Sequence, residues 1–219
     1  NDDMVGNFTV AFWFQRKQAS PQYMTAYNQM NAAMNDDRIQ IGTQGGGASA
    51  AWEIYAASKV LDGTTPAQNT WYHLALTGSG TTWKWYENGV EIDSTSSGTT
   101  ATRDNDGLVT IMGEASGAFA EGYMDEFCQY DRALSTAELL SLADGSKKPN
   151  DATLDTSNSL VLYLPMDTVS SGNWYDDTSG TSQAISTTGN PAQITTIPQD
   201  EKLALTNVPV GTRYEETDT

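Results

Sequence analysis

The sequence predicts an all-β fold, an antiparallel sandwich or meander with one short helix. Aromatic residues make up 10% of the 219 residues, and 19 glycines favour short strands joined by tight turns. The stretch NFTVAFWFQ places four apolar side chains, Phe8, Val10, Phe12 and Phe14, on one face of a strand. Because Gly, Pro, Asn and Asp clusters separate such stretches, we expect several strands connected by turns.

The same alternation continues along the chain and predicts the remaining elements in order. Further strands are predicted at residues 38–43, 50–58, 70–79, 108–113, 122–131, 160–167 and 203–206. The alternation stops at STAELLSLADG, where Ser135 and Glu138 form a capping-box pattern and Gly145 ends a helix. After it, GSKKPNDATLDTSNS is polar and contains a proline, so it predicts a linker or a surface crossing.

Charge and composition exclude several classes of partner and site. Eleven Lys and Arg against 28 Asp and Glu give a net charge of −17, which would repel nucleic-acid phosphates. No run approaches the roughly 18 apolar residues of a membrane span, so we expect no membrane insertion. Cys128 is the single cysteine, which excludes an internal disulfide and a multi-cysteine metal cluster.

The stretch WKWYENGVEIDS raises the question of catalysis, because Glu91 and Asp93 lie two apart on a strand. Such side chains are about 7 Å apart, a spacing compatible with paired glycosidase carboxylates. With Asn88-Gly89 as a primed turn, the predicted pairs are Glu87–Val90, Tyr86–Glu91, Trp85–Ile92 and Lys84–Asp93. This register places Val90 and Ile92 on an apolar face and Asp93 opposite Lys84 in solvent. No second Glu follows on the strand, so we predict a solvated hairpin and no catalytic residue.

Nucleophilic catalysis is equally unsupported. His73 is the only histidine, so a Ser-His-Asp or Cys-His arrangement would depend on it alone, and no nucleophile elbow is present. We predict a structural histidine in the core or between the sheets. Cys128 lies on the strand before the helix, and we predict a small packed thiol.

Three stretches carry a family resemblance. FTVAFWF, NTWYHLALTGSGTTWKWYENGVEID and GYMDEFCQYDRALSTAELLSL resemble, in this order, three blocks of the laminin-G-like, concanavalin A-like jelly-roll modules. The resemblance covers residues 7–143. It implies a jelly-roll β-sandwich of two packed antiparallel sheets, a binding or adhesion role that is often directed toward glycans, and in some members a structural calcium ion.

One departure from the family pattern concerns the order of the strands. A strand resembling LVLYLPMD normally precedes FTV.FW, whereas here it follows the helix. We therefore expect a sandwich at residues 1–145, a linker or surface crossing at 146–157, completing strands at 158–206 and an acidic flexible tail at 207–219. Residues 158–206 could instead begin a second module or complete a neighbouring subunit. Completion within the chain, as in a circular permutation, is preferred because an unpaired edge would aggregate.

The candidate calcium ligands are aspartates, whose carboxylates are hard oxygen donors. Asp104 and Asp106 lie in the stretch RDNDGL, which lacks the later Glu of an EF-hand and is also typical of an ordinary turn. The turn is the preferred interpretation. Asp125, at the Asp-Glu position of the family, and Asp167, after the displaced strand, are alternative ligands that the resemblance implies.

Glycan binding requires aromatic side chains that stack on sugar rings and polar groups that bind hydroxyls. The candidate platforms are Tyr23, Tyr27, Trp52, Tyr55 and Trp174, with Asn28 and Gln44 as polar partners. For each of them taken singly, a core or scaffold role is the preferred interpretation. The segment PQYMTAYNQMNAAMNDD is rich in Met, Asn and Gln for a sandwich loop, so it could form a contact surface with another protein.

Two functions remain after these exclusions. The first is a noncatalytic binding or adhesion module that recognises a glycan or glycoprotein at a cell surface or in the extracellular space. The alternative is a structural assembly subunit of a virion or surface appendage. In that case the arm after residue 157 would contact identical subunits.

Overall fold

The computed structural model describes residues 6–19, 23–30, 39–43, 50–56, 58–98, 108–113, 120–166, 174–175 and 184–185. The strands are β1 (Asn7–Arg16), β2 (Met24–Met30), β3 (Ile39–Thr43), β4 (Trp52–Ala56), β5 (Ser58–Asp62), β6 (Trp71–Ser79), β7 (Thr82–Glu87), β8 (Val90–Thr95), β9 (Leu108–Ile111), β10 (Gly122–Tyr130), β11 (Leu160–Leu164), β12 (Trp174–Tyr175) and β13 (Ala184–Ile185). The described helix, α1 (Thr136–Ala143), lies between β10 and β11.

The described strands form two larger antiparallel sheets. One has six strands in the order β11-β10-β1-β6-β7-β8, and the other has five strands in the order β5-β4-β3-β2-β9. Strands β12 and β13 form a separate two-stranded ladder. This architecture confirms the predicted antiparallel β-sandwich with one short helix.

The main core lies between the two sheets. Alternate residues of β1 point into it, and the ring of Phe14 contacts the ring of Trp52 edge to face, with centroids 5.4 Å apart. Ile41 and Ile54 of the five-stranded sheet and Leu76 of β6 fill the space around these rings. Burying each such side chain stabilises the fold by roughly 1.5–3 kcal/mol.

A second core covers the opposite face of the six-stranded sheet. Ala11 of β1 and Ala75 of β6 are small, so Leu139 of helix α1 packs closely over them. Cys128 lies in this layer and donates a hydrogen bond from Sγ to the carbonyl oxygen of Ala11 at 3.5 Å. Burial raises the pKa of the Cys128 thiol, which confirms the prediction of a packed, unreactive cysteine.

Helix α1 begins where the sequence predicts. The Ser135 side chain accepts a hydrogen bond from the backbone N–H of Glu138, and the Glu138 carboxylate accepts one from the backbone N–H of Ser135. Arg132 donates two hydrogen bonds to Glu138, of 2.7 and 3.1 Å, which lower the pKa of Glu138 to about 2. At eight residues the described helix cannot cross a membrane.

Two strand predictions in the five-stranded sheet are wrong. The segment around Met24–Met30, expected to be a loop, is strand β2 and is paired on both sides. Its use as a contact surface with another protein stays a prediction. The predicted strand at residues 50–58 is divided, because the chain reverses between Ala56 and Ser58 to form β4 and β5. The alternation of apolar and polar residues in this short stretch does not predict such a tight reversal, because no Gly, Pro or Asn stands at the turn.

Strand β11 pairs antiparallel with β10 at the edge of the six-stranded sheet. Leu164 reaches the main core, whereas Leu160 and Tyr163 pack in the second core. The register shifts opposite Gln129 and Tyr130, so Leu160 leaves the face that simple alternation predicts. The predicted strand at residues 203–206 lies outside the described residues.

Candidate functional site

The outer face of the five-stranded sheet, the face turned away from the six-stranded sheet, carries polar side chains in cross-strand rows. One row contains Thr110, Asn28, Gln40, Tyr55 and Lys59, and the next contains Thr25, Gly42, Glu53 and Asp62. These residues point outward because their sequence neighbours, such as Ile41 and Ile54, fill the core.

Four residues at one end of this face form a connected group, the β4–β5 cluster: Glu53, Tyr55, Lys59 and Asp62. The Tyr55 hydroxyl donates to Glu53 Oε2 at 2.8 Å. The Lys59 ammonium lies 2.9 Å from Asp62 Oδ1 and 3.7 Å from Glu53 Oε1. The hydrogen bond to Asp62 raises the pKa of Lys59, so the ammonium is charged at neutral pH.

The β4–β5 cluster is open to solvent. Side chains of Lys59 and Asp62 are 43% and 60% exposed, and that of Glu53 is 19% exposed. Tyr55 is half-buried beside them. An aromatic ring, two carboxylates and an ammonium therefore lie within reach of one ligand.

The other end of the same face is buried. Asn28 is 1% exposed and Gln40 is 2% exposed, and Gln40 donates from Nε2 to Thr25 Oγ1 at 2.9 Å. The side-chain oxygen of Asn28 accepts no hydrogen bond within the described structure. Asn28 and Tyr55 lie two strands apart in one row, about 10 Å from each other.

Strand β5 is held in place from the opposite sheet. The backbone N–H of Asp62 donates to Asp93 Oδ2 at 2.9 Å. Just beyond β5, the backbone N–H of Thr64 donates to the buried carboxylate of Glu87 at 2.7 Å, which also accepts from Trp85 Nε1 at 2.9 Å. These contacts fix the end of the strand that carries Lys59 and Asp62.

The predicted glycan platforms separate into different environments. Tyr55 lies on the outer face, in one row with its predicted polar partner Asn28. Tyr27 and Trp52 are 0% exposed, so the prediction that they stack on a sugar is wrong. The Tyr27 hydroxyl donates to Gln29 at 2.8 Å, and the Trp52 ring packs within the main core.

Tyr23, a further platform candidate, is not brought to the β4–β5 cluster. Tyr23 is 56% exposed with φ of 48°, immediately before β2. It precedes Asn28 by five residues, so it lies about 15 Å along the strand from that row. The side chain of Trp174 lies outside the described residues, as does Gln44.

Glu53, Lys59, Asp62 and Gln40 were not predicted as site residues. The stretch AAWEIYAAS contains the signal for Glu53, because Glu53 and Tyr55 alternate with the buried Trp52 and Ile54. Lys59 and Asp62 come next to them only through the tight reversal into β5.

The described residues contain no group of three or more His, Cys, Asp or Glu side chains that could hold a metal ion. Among the predicted calcium ligands, Asp125 is 3% exposed and accepts a hydrogen bond from the backbone N–H of Glu126 at 3.0 Å. Asp104, Asp106 and Asp167 lie outside the described residues. Calcium binding therefore stays a prediction.

The carboxylates of the hairpin are engaged in structural contacts. Asn88 and Gly89 have φ of 52° and 77°, which confirms the primed turn. The register then shifts after Tyr86–Glu91, so Trp85 pairs with Asp93. The prediction that Lys84 pairs with Asp93 is wrong, since its ammonium binds Glu91 at 2.8 Å.

The predicted apolar face of the hairpin is also wrong in its second strand. Val90 and Ile92 are 59% and 40% exposed, because β8 is an edge strand and Ile92 is the extra residue of the bulge. Trp83 and Trp85 of β7 are buried, as predicted.

His73 is buried and uncharged in this geometry. It is 3% exposed, and burial lowers its pKa to about 3. Its ring meets that of Trp13 edge to face, with centroids 5.4 Å apart, and its backbone N–H donates to Asn88 Oδ1 at 2.9 Å. The prediction of a structural histidine is confirmed.

Several known structures have a fold similar to that of this chain. A carbohydrate-binding protein, so described, from Bacteroides ovatus superposes with a TM-score of 0.59 at 19% identity, over 83% of this chain and 54% of that chain. Domain 4 of an extracellular arabinanase from Geobacillus stearothermophilus, in complex with arabinotriose, gives 0.50 at 20% identity, over 64% and 69%. A heptameric pentraxin from Limulus polyphemus gives 0.51 at 17% identity, over 64% and 70%.

A comparison with curated proteins gave no significant match. The structural likenesses, all at low identity, concern the fold. The family model that matches residues 1–140 is described as the concanavalin A-like lectin/glucanases superfamily. These residues hold both sheets except β11, together with most of α1. The chain therefore belongs to the concanavalin A-like lectin/glucanase superfamily.

Proposed function

We propose that the chain is a noncatalytic carbohydrate-binding module that holds a glycan against the β4–β5 cluster. The observation that carries the proposal is the half-buried ring of Tyr55 beside Glu53, Lys59 and Asp62 on the outer face. A tyrosine ring offers an apolar surface to the C–H side of a sugar, and carboxylates accept hydrogen bonds from its hydroxyls.

Membership of the lectin/glucanase superfamily supports this proposal. Further support comes from the arabinanase domain, whose structure contains arabinotriose on a similar fold. A net charge of −17 favours solubility, and a glycan-binding module meets its ligands in the extracellular space or at a cell surface. We place the protein there.

The noncatalytic part of the proposal depends on how the carboxylates are used. Glu53 and Asp62 are cross-strand neighbours that share one ammonium, and Glu53 also accepts from Tyr55. Glu91 is bound to Lys84, and Asp93 holds the backbone of Asp62. Glycoside hydrolysis needs one carboxylic acid that donates a proton while a second acts as base or nucleophile. Because one ammonium binds both carboxylates of the cluster, they are not arranged as a separate acid and base on either side of a glycosidic bond.

A glycan array followed by calorimetry tests the proposal. We expect Y55A to weaken binding about tenfold, since an aromatic contact contributes about 1.4 kcal/mol. Y55F retains the ring and loses the hydrogen bond to Glu53, so it should bind more tightly than Y55A. Tyr123, half-buried on β10 in the other sheet, gives the matched control Y123A, which should bind as the unmodified protein does.

Equal weakening by Y55A and Y123A would contradict the placement of the site. Incubation of the protein with every oligosaccharide that binds should release no new reducing ends. Hydrolysis that E53Q abolishes and E91Q preserves would show instead that the cluster is catalytic.

A further inference from the structure

We propose that the glycan held at the β4–β5 cluster is uncharged, and that sialylated, sulfated and uronic acid sugars are excluded. This inference rests on the proposed function. The outer face carries two carboxylates, Glu53 and Asp62, and one ammonium, Lys59, in its described rows. The formal charge of these described rows is therefore negative.

The one ammonium of the cluster is already engaged. Lys59 donates to Asp62 at 2.9 Å and lies 3.7 Å from Glu53, so two negative charges surround it. An acidic sugar would have to displace one carboxylate from Lys59 while approaching the other. Like charges that share a site at close range are strongly disfavoured.

The described arginines cannot compensate, because each is held elsewhere. Arg16 is 5% exposed and donates to the carbonyl oxygen of Pro66 at 3.1 Å. Arg132 forms a two-bond pair with Glu138 beside helix α1. Recognition of a carboxylate or sulfate normally uses such a guanidinium fork, and the described rows of the outer face contain none.

A neutral sugar fits the same group of atoms. Hydroxyl groups donate to carboxylates in charge-assisted hydrogen bonds, which are about twice as strong as neutral ones. The described face is thus rich in acceptors, as an uncharged polyol requires.

The test is a glycan array in which each neutral oligosaccharide stands beside its sialylated and sulfated derivatives, followed by calorimetry on each matched pair. We expect the neutral member to bind at least tenfold more tightly. The variant D62N changes an exposed side chain and releases Lys59 from its nearest carboxylate. D62N should reduce the difference in affinity between the neutral and the acidic member of each pair. The double variant E53Q/D62N should reduce this difference further.

The matched control is E91Q, which releases Lys84 from an exposed pair of similar geometry on the other sheet. It should leave the preference unchanged. Acidic derivatives that bind as tightly as their neutral parents, with binding still lost in Y55A, would overturn this inference and leave the proposed function intact. An array on which no glycan binds would overturn both.

Discussion

The environment of His73 shows how a single residue gains its role from burial. The imidazole is 3% exposed and packs against Trp13, and its Nδ1 has no hydrogen-bond partner within the described structure. A charged imidazolium there would lose its hydration without gaining an anion, so the neutral form is favoured. Burial therefore lowers the pKa to about 3 and keeps the histidine uncharged at neutral pH.

We expect the His73 imidazole to show no titration between pH 8 and pH 4.5 in NMR spectra, and to titrate near 6.5 once the chain is unfolded. The unfolded state then binds an extra proton between pH 6.5 and about 3. The histidine's contribution to stability is complete above pH 6.5 and is lost as the pH falls through that window. With one histidine in the chain, the signal needs no assignment by mutation. A native titration near 6.5 would contradict the buried, neutral state.

The predicted calcium site depends on individual carboxylates, and the Tm measured by calorimetry tests it. If Asp104 and Asp106 bind calcium only in the folded state, millimolar calcium should raise the Tm by mass action. The variant D104N should then lower the response, whereas D151N, which changes an exposed carboxylate near Thr153, should not. If the Tm is the same with calcium as with chelator, calcium does not stabilise the folded protein.

Residue roles in strand β4 could be predicted only in part. Trp52 and Tyr55 are three apart, so the two-residue period of a strand places them on opposite faces. The pleat alone thus separates the core residue from the exposed platform. The pleat does not determine which face is the core. Ala50 and Ala51, which precede the strand, do not differ in polarity and so do not distinguish the two faces. The structure resolves this, since Ile41 across the strand pair fills the core beside Ile54.

At the scale of elements, the β7–β8 hairpin shows which features local sequence determines. The Asn-Gly turn was predictable, because both central residues need positive φ and these types tolerate it. The bulge at Ile92 was not, since one inserted residue leaves no mark in a strand of mixed composition. A change of one residue in register was sufficient to move the ion pair of Lys84 from Asp93 to Glu91.

Gly89 of the hairpin lies against helix α1, whereas Gly80 lies in open space, so the two glycines can be compared. A Cβ at Gly89 would lie 2.9 Å from the Leu140 Cα, whereas a Cβ at Gly80, with φ of 58°, meets nothing within 4 Å. G80A should cost about 1 kcal/mol from backbone strain alone. G89A should cost at least about 1 kcal/mol more, because the helix backbone must move. Chemical denaturation of both variants measures the difference, and equal costs would show that hairpin and helix do not contact in solution.

At the scale of the whole molecule, the sandwich depends on a strand that is distant in sequence. Strand β11 lies beside β10, after α1 and the turns that follow it, in which Leu154 is buried. The apolar composition of LVLYL predicted a paired, buried strand. Its partner could not be predicted, because any unpaired edge, in this chain or another, offers the same hydrogen bonds. The domain bounds after residue 157 stay a prediction.

The final prediction tests whether β11 stabilises this fold in solution. A chain truncated after residue 157 lacks Leu160, Tyr163 and Leu164, which are 8%, 1% and 0% exposed, and it leaves the edge of β10 unpaired. Removing three buried side chains should cost on the order of 5 kcal/mol, so we expect a lower Tm and aggregation. A chain truncated after residue 166 keeps β11 and is the matched control, expected to remain soluble.

Light scattering on the intact chain distinguishes β11 pairing within one molecule from β11 exchange between subunits. Exchange would give an oligomer, and truncation after residue 157 would dissociate it. If the 157-residue chain stays soluble, monomeric and equally stable, β11 does not belong to this sandwich.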